Sequence, residues 1–234
     1  MLEFTKRIKK SCLAKIVRQI KFKKELKKHK RTKEKYGYEV IQIVDRIGSK
    51  LHIDIWIEWG TLLGYAREGG LIGHDYDIDF ATNRMSDDQY RRFHSFLKLK
   101  GFNLTRQFRL KGDIISETYE YKGTLVDIDY CDTDDNGVQY LEYDIGENTQ
   151  IVKKSGRYYY KYMDVMIYHA VPFEIKRGIF ANGTLCNVPD NFEEHIEFFY
   201  GRNWRIPIPD FDWKSLDNYE SSPSNKDIIG WRNV

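Results

Sequence analysis

The sequence predicts an α+β fold in which a mixed β-sheet is flanked by helices. Helical and strand periodicities alternate between residues 40 and 100, in the order helix, strand, helix, strand, helix. Strand-like segments joined by tight turns then follow one another up to residue 130. This order favours an α+β fold whose sheet contains both parallel and antiparallel pairs.

A basic arm, residues 1–35, precedes the predicted domain. It contains 15 of the 38 Lys and Arg but 3 of the 35 Asp and Glu, so its net charge is +12 and that of the remainder is −9. Apolar residues recur at three- and four-residue steps from Phe4 to Ile20, which predicts a basic amphipathic helix. Residues 1–33 would therefore suit an anionic membrane surface, or else pack on the domain or on a partner.

The predicted domain covers residues 36–210, with a tail, residues 211–234, packed on it. An apolar stripe from Val40 to Leu51 predicts a helix, and period-two alternation over 53–59 predicts a strand. A short helix over 61–68 should end at Gly69-Gly70. Ser86-Asp87-Asp88-Gln89 resembles a capping box that opens a helix running to about residue 100.

The remaining elements follow from alternation and turn residues. We expect strands at 77–81, 102–110, 113–121, 124–130, 138–143 and 157–168, a helix at 191–200, and irregular structure over 205–234.

The most informative motif is Asp77-Ile78-Asp79, sixteen residues after Gly60-Thr61. Carboxylates at i and i+2 of a strand share one face, and both can bind hard cations through oxygen. A Gly-Thr turn before a helix presents backbone N–H groups that suit a phosphate. The combination predicts metal-assisted chemistry on a phosphate ester.

A third carboxylate would complete such a site. The later strand Leu125-Val126-Asp127-Ile128-Asp129 repeats the pattern, with Asp127 and Asp129 on one face. Two metals held by three carboxylates can clamp the attacking and leaving oxygens of an in-line displacement.

These motifs resemble the LicD/fukutin-related phosphotransferases. Gly60-Thr61-Leu62-Leu63-Gly64, then Arg67, then Asp75-Tyr76-Asp77-Ile78-Asp79 look like the family signature. Val126-Asp127-Ile128 and the run from Val188-Pro189 to Tyr200-Gly201 and Trp204 are similar to its later segments. Many members have Pro-Trp-Asp-Asp-Asp where this chain has residues 73–77, Gly-His-Asp-Tyr-Asp; the Tyr resembles the fukutin-related branch.

The resemblance implies a nucleotidyltransferase-like fold of the DNA polymerase β type and a phosphotransfer reaction. A phospho-alcohol, such as phosphocholine or ribitol phosphate, would pass from a CDP-alcohol donor to a glycan or lipid-linked glycan acceptor at the cell surface. Asp77, Asp79 and Asp127 would act in catalysis and hold Mg²⁺ or Mn²⁺, and Gly60 and Thr61 would bind donor phosphate.

Three further residues are candidates for substrate binding, each with an alternative. Arg67 matches a diphosphate but is equally a charge at a helix end. His74 is a candidate phosphate donor or a turn residue without a role. Asp75 either supports a metal ligand or forms an Asx turn.

Two rival functions share some of these features. A glycosyltransferase also uses Asp-x-Asp to hold a nucleotide diphosphate, and the basic arm could lead a non-catalytic binding module. We expect no nucleic-acid partner. Scattered cysteines and the lack of a long apolar run predict a cytoplasmic protein, peripheral at the inner face of the membrane.

Overall fold

The computed structural model describes the backbone of residues 2–208 and 218–234, and the side chains of residues 23–208 and 218–234. The Phe4–Ile20 apolar stripe therefore lies outside the described side chains, and residues 209–217 lie outside the described structure. No helix in the described part of the chain is long and apolar enough to cross a membrane.

Four helices are described, and local signals define their ends. They are α1 (Leu2–Leu51), α2 (Trp59–Glu68), α3 (Asp87–Leu99) and α4 (Phe192–Tyr200). Gly69 ends α2 in the left-handed conformation, at φ +62°. Ser86 and Gln89 form the predicted capping box of α3.

Eleven strands are described. They are β1 (Ile55–Ile57), β2 (Asp77–Asn83), β3 (Asn103–Leu110), β4 (Asp113–Tyr121), β5 (Thr124–Asp134), β6 (Gly137–Asp144), β7 (Gln150–Lys154), β8 (Arg157–Ala170), β9 (Ile175–Ile179), β10 (Leu185–Pro189) and β11 (Tyr219–Asn233).

The main sheet is mixed, as predicted. Its order is β1-β2-β5-β4-β3-β11-β8-β6, with β7 paired to β8 and β9 and β10 forming a separate hairpin. Strands β2 and β5 are parallel, whereas the other described pairs are antiparallel. Pairing of β5 with β6 closes six strands into a ring, which the sequence did not predict.

The C-terminal half of α1 packs on the sheet through the predicted stripe. Val40, Ile41 and Val44 are fully buried. Gly37 lets the helix approach closely, because a Cβ there would lie 2.6 Å from a Leu71 methyl and 3.1 Å from an Ile78 methyl. This contact places α1 against β2 and the loop before it.

The structure adds to one expectation about the ends of the chain and corrects another. The arm and the first predicted helix of the domain form one continuous helix, α1. Residues 219–233 are not irregular, since β11 pairs with both β3 and β8. The segment around Pro223 is polar, so its sequence carries no strand signal. The pairing of β11 with β8 shifts register between Ser222 and Asn225, and such irregularities are among the places in a sheet where proline is tolerated.

Candidate active site

Two neighbouring parallel strands bring the predicted carboxylates together. Asp79 of β2 lies directly opposite Asp127 of β5, and Asp77 lies opposite Leu125. Paired residues of adjacent strands share a face of the sheet, as do residues two apart on one strand. Asp77, Asp79 and Asp127 therefore all project from one side.

Asp75 joins the motif to form a compact carboxylate cluster. One oxygen from each of Asp75, Asp77 and Asp79 lies within 4.8 Å of the others. Burial, followed by the charges of Asp79 and Asp75, raises the pKa of Asp77 well above its ordinary value. Burial, followed by Asp75 and Asp127, does the same to the pKa of Asp79. Confined carboxylates of this kind favour a bound cation.

The N-terminus of α2 is tied directly to this cluster. The N–H and the hydroxyl of Thr61 each donate to Asp79 Oδ2 at 3.2 Å, and the Asp79 N–H donates to the Thr61 hydroxyl at 2.8 Å. Thr61 is buried and is not among the residues that line the cavity described below. Its observed contacts position Asp79, and binding of donor phosphate by Thr61 stays a prediction.

Gly60 leaves room for the carboxylates. A Cβ at this position would lie 2.7 Å from Asp75 Oδ2 and 3.3 Å from Asp79 Oδ2. The absence of a side chain thus allows both acids to approach the first turn of α2.

Glu58 fixes the start of α2 from below. It is buried and accepts hydrogen bonds from Trp56 Nε1 and the Tyr140 hydroxyl, each at 2.7 Å. His195 Nε2 lies 3.0 Å from the same carboxylate. The Glu58 carboxylate also accepts a hydrogen bond from the Trp59 N–H at 3.2 Å, and this bond caps the N-terminus of α2. Glu58 therefore anchors the turn and does not face the cavity.

Asp127 has one satisfied and one free oxygen. Arg106 of β3 donates to its Oδ2 at 2.9 Å. Its Oδ1 is buried without a hydrogen-bond partner among the described residues. A buried oxygen of this kind needs a ligand, and a metal ion would supply one.

Asp129 faces the same cavity but has a different partner. The Trp59 indole donates to its Oδ2 at 2.7 Å. Burial raises the pKa of Asp129 to about 7, although the hydrogen bond from Trp59 opposes this shift. The unpartnered oxygen of Asp127 thus favours Asp127 over Asp129 as the carboxylate that β5 adds to the site.

These residues line a cavity of about 560 Å³. Besides the acids, its lining contains an aromatic wall contributed by α2, the loop before β2, β6, β8, α4 and the segment after α4. The aromatic lining residues are Trp59, Tyr76, Tyr143, Tyr168, Phe199, Tyr200 and Trp204. A site of this volume can enclose a small polar ligand together with an aromatic ring.

Arg67, His74 and Asp75 also line the cavity. Arg67 donates to the carbonyl oxygens of Trp204 and Ile206 and so holds the segment after α4 against α2. His74 is exposed. Asp75 accepts from the N–H of the adjacent Tyr76 at 2.9 Å, one residue short of the bond that defines an Asx turn, and it belongs to the carboxylate cluster.

Lys33 is a site residue that the sequence did not reveal. Its side chain is 3% exposed, and Nζ lies 2.9 Å from the Ile72 carbonyl and 3.4 Å from Asp75 Oδ2. The preceding turn of α1 also contacts the domain, since the Thr32 hydroxyl donates to the Gly123 carbonyl at 2.7 Å. Most of the other residues between 23 and 35 are exposed, so Lys33 is the exception in this stretch. In a run so rich in lysine, no local signal marks the buried one.

The donor set fits a divalent cation. Carboxylate oxygens are the ligands that Mg²⁺ and Mn²⁺ prefer. Three observations are consistent with such an ion. They are the clustered oxygens of Asp75, Asp77 and Asp79, the unpartnered Asp127 Oδ1, and the close approach of carboxylates that Gly60 allows.

Comparisons with known proteins agree with the sequence motifs. Ribitol-5-phosphate transferase FKTN of Homo sapiens is 24% identical over 190 residues, and that of Macaca fascicularis is 25% identical over 190 residues. Each alignment covers 77% of this chain, and the chain spans 35% of the length of these relatives. A solved structure, ANT(2″)-Ia in complex with adenylyl-2″-tobramycin, gives a TM-score of 0.42 at 14% identity, over 78% of this chain and 84% of that chain.

The family comparison covers most of the site. The model described as LicD/FKTN/FKRP, nucleotidyltransferase domain, matches residues 52–191. This range includes α2, the carboxylate cluster and Asp127, and the predicted resemblance is thereby confirmed. The chain belongs to the LicD/FKTN/FKRP family.

Proposed function

We propose that this protein is a metal-dependent transferase of phospho-alcohols. The donor is a CDP-activated alcohol of the ribitol-phosphate or phosphocholine type, and the acceptor is a hydroxyl of a cell-surface or lipid-linked glycan. The observation that carries this proposal is the meeting of Asp77, Asp79 and Asp127 in one cavity beside the first turn of α2. The ribitol-5-phosphate transferases among the relatives support the choice of substrate class.

The carboxylates hold Mg²⁺ or Mn²⁺ in this proposal. Asp77, Asp79 and Asp127 are the ligands, and Asp75 supports them from within the cluster that it forms with Asp77 and Asp79. The ion supplies charge neutralisation for the phosphoryl group. In this proposal Asp127 also orients or deprotonates the attacking hydroxyl.

The rest of the cavity suits the organic parts of the substrates. Gly60, at the first turn of α2, lines the cavity, and the N-terminal turn of a helix stabilises a nearby phosphate. The aromatic wall offers flat apolar surfaces for a nucleobase or for the C–H face of a sugar. The remaining N–H groups of Arg67 are available to a diphosphate at the rim.

A donor comparison with matched variants tests the proposal. Purified protein is incubated with CDP-ribitol or CDP-choline, or with sugar nucleotides as rivals, and release of CMP or of a nucleoside diphosphate is measured. Asp79→Asn should abolish turnover while the melting temperature stays close to wild type or rises, because a crowded charge is lost. Asp135→Asn, in the exposed turn after β5, is the control and should remain active.

Several outcomes would overturn the proposal. EDTA should stop the wild type, and Mg²⁺ or Mn²⁺ should restore it. Full activity in EDTA would show that the reaction needs no metal ion. Turnover with sugar nucleotides alone would favour the glycosyltransferase. Unchanged function of Asp79→Asn would favour a non-catalytic binding module.

We further propose that the basic arm binds an anionic membrane surface and holds the enzyme at the inner face of the membrane. The charge of residues 1–35 supports this placement, since each basic residue near such a surface contributes about 1 kcal/mol. Because Lys33 contacts Asp75, deletion of residues 1–33 would also disturb the site. Deletion of residues 2–22 is the cleaner test.

Liposome flotation distinguishes membrane binding from packing. The shortened protein should lose binding to anionic vesicles at low salt and keep turnover on a water-soluble acceptor. Failure of the full chain to bind at low salt would leave the arm as an element that packs on a partner.

A further inference from the structure

A row of paired residues extends across the sheet from the carboxylate cluster to its exposed edge. From β2 to β4, Asp79 lies opposite Asp127, and Asp127 lies opposite Thr118. The row continues through Arg106, Arg232, Tyr158 and Lys153, which are successive partners on β3, β11, β8 and β7. Each link is a direct pair in the sheet, so these side chains project from the same face as the carboxylates.

Observed contacts support this common face. Arg106 reaches across Thr118 to bond Asp127 at 2.9 Å. The Arg232 guanidinium lies 5.3 Å from the centre of the Tyr158 ring, and Lys153 Nζ lies 5.4 Å from the same ring. Arg232, Tyr158 and Lys153 are thus neighbours in space, and Arg106 extends this strip toward Asp127 as the sheet partner of Arg232.

The outer part of this strip is open to solvent. Arg232 and Lys153 are exposed and Tyr158 is half-buried. Within residues 23–208 and 218–234, neither Arg232 nor Lys153 forms an ion pair, whereas Arg106 is held by Asp127. From Arg106 to Lys153 the strip crosses three strand spacings, roughly 14 Å.

We propose that Arg232, Tyr158 and Lys153 form a binding track for an anionic acceptor glycan that carries phosphodiesters. This inference rests on the proposed function. Transfer of a phospho-alcohol to a hydroxyl leaves a phosphodiester in the product, so an acceptor that has been modified before is negatively charged. Exposed cations pair with such phosphates, and the tyrosine face suits a sugar ring between them.

The neighbouring lysine on the same strand provides a matched control. Lys154 is also exposed, but it follows Lys153 directly and therefore points to the opposite face of the sheet. Lys153→Glu and Lys154→Glu make the same charge change within one residue, so long-range electrostatics alone would affect both variants alike.

Binding is measured by fluorescence anisotropy with labelled phosphorylated dextran oligomers, with unphosphorylated dextran for comparison. Lys153→Glu and Arg232→Glu should each weaken binding of the phosphorylated oligomer about tenfold, because a charge-assisted contact becomes a repulsion. Lys154→Glu should bind like wild type, and unphosphorylated dextran should bind weakly to every variant. Melting temperatures are measured for all variants, and Arg232→Gln is tested beside Arg232→Glu, so that a folding defect is not mistaken for a loss of binding.

Any one of three results would overturn the proposed track. The first is an equal loss of binding affinity in Lys153→Glu and Lys154→Glu, and the second is no preference for phosphorylated over unphosphorylated dextran. The third is tighter binding of a single-stranded RNA of the same charge. Because the assay requires no turnover, its failure is independent of the donor test. If the track is correct and the enzyme is active, these variants should raise KM for a phosphorylated acceptor and leave kcat largely unchanged.

Discussion

Replacement of Gly60 by alanine should separate activity from stability. The new Cβ would lie 2.7 Å from Asp75 Oδ2, whereas Cβ contacts under 3.0 Å are essentially never observed. Neither carboxylate has room to withdraw freely, since Lys33 holds Asp75 and Thr61 holds Asp79. The substitution must therefore displace the oxygens that would bind the metal.

The magnitude follows from opposing effects on folding and on geometry. Alanine within a helix is favoured over glycine by roughly 0.5–1 kcal/mol, which offsets part of the clash. We expect a melting temperature within about 4 °C of wild type, the shift that about 1 kcal/mol produces in a protein of this size. Displacement of catalytic groups by about 1 Å costs about 10²-fold in rate, so kcat/KM should fall between about tenfold and 10²-fold.

The assay pairs this variant with a second glycine in the same segment. A Cβ on Gly73 would meet no atom within 4 Å, so Gly73→Ala should keep wild-type activity. Mn²⁺ binding, followed by electron paramagnetic resonance, should weaken in Gly60→Ala alone. Unchanged Mn²⁺ affinity and turnover in Gly60→Ala, or equal losses in both variants, would refute the steric reasoning.

Three other substitutions test the surroundings of the site. Asp127→Ala should lose turnover but keep nucleotide binding, measured by calorimetry; if Asp129→Ala is the inactive variant instead, the assignment is wrong by two residues. Lys33→Met removes the buried ammonium beside the cluster, so it should lower the melting temperature in EDTA more than in Mn²⁺; equal shifts would make Lys33 a packing residue only. Glu58→Ala leaves His195 buried without its partner and should cost about 3–5 kcal/mol in urea unfolding, whereas a loss below 1 kcal/mol would contradict this.

Some features of this protein are determined by short stretches of sequence. The period-two spacing of Asp77 and Asp79 places both on one face wherever the strand lies. The capping box at Ser86 sets the start of α3, and the stripe from Val40 marks the buried face of α1. Such signals work because they depend on neighbours within one or two turns of the chain.

Other features arise only when distant segments meet. The pairing of Asp79 with Asp127 follows from parallel alignment of β2 and β5, which no local pattern encodes. The burial of Lys33 depends on the close approach that Gly37 permits, not on its own sequence context. The polar strand β11 forms because β3 and β8 satisfy its backbone from both sides, a gain that is available only after the rest of the sheet has assembled.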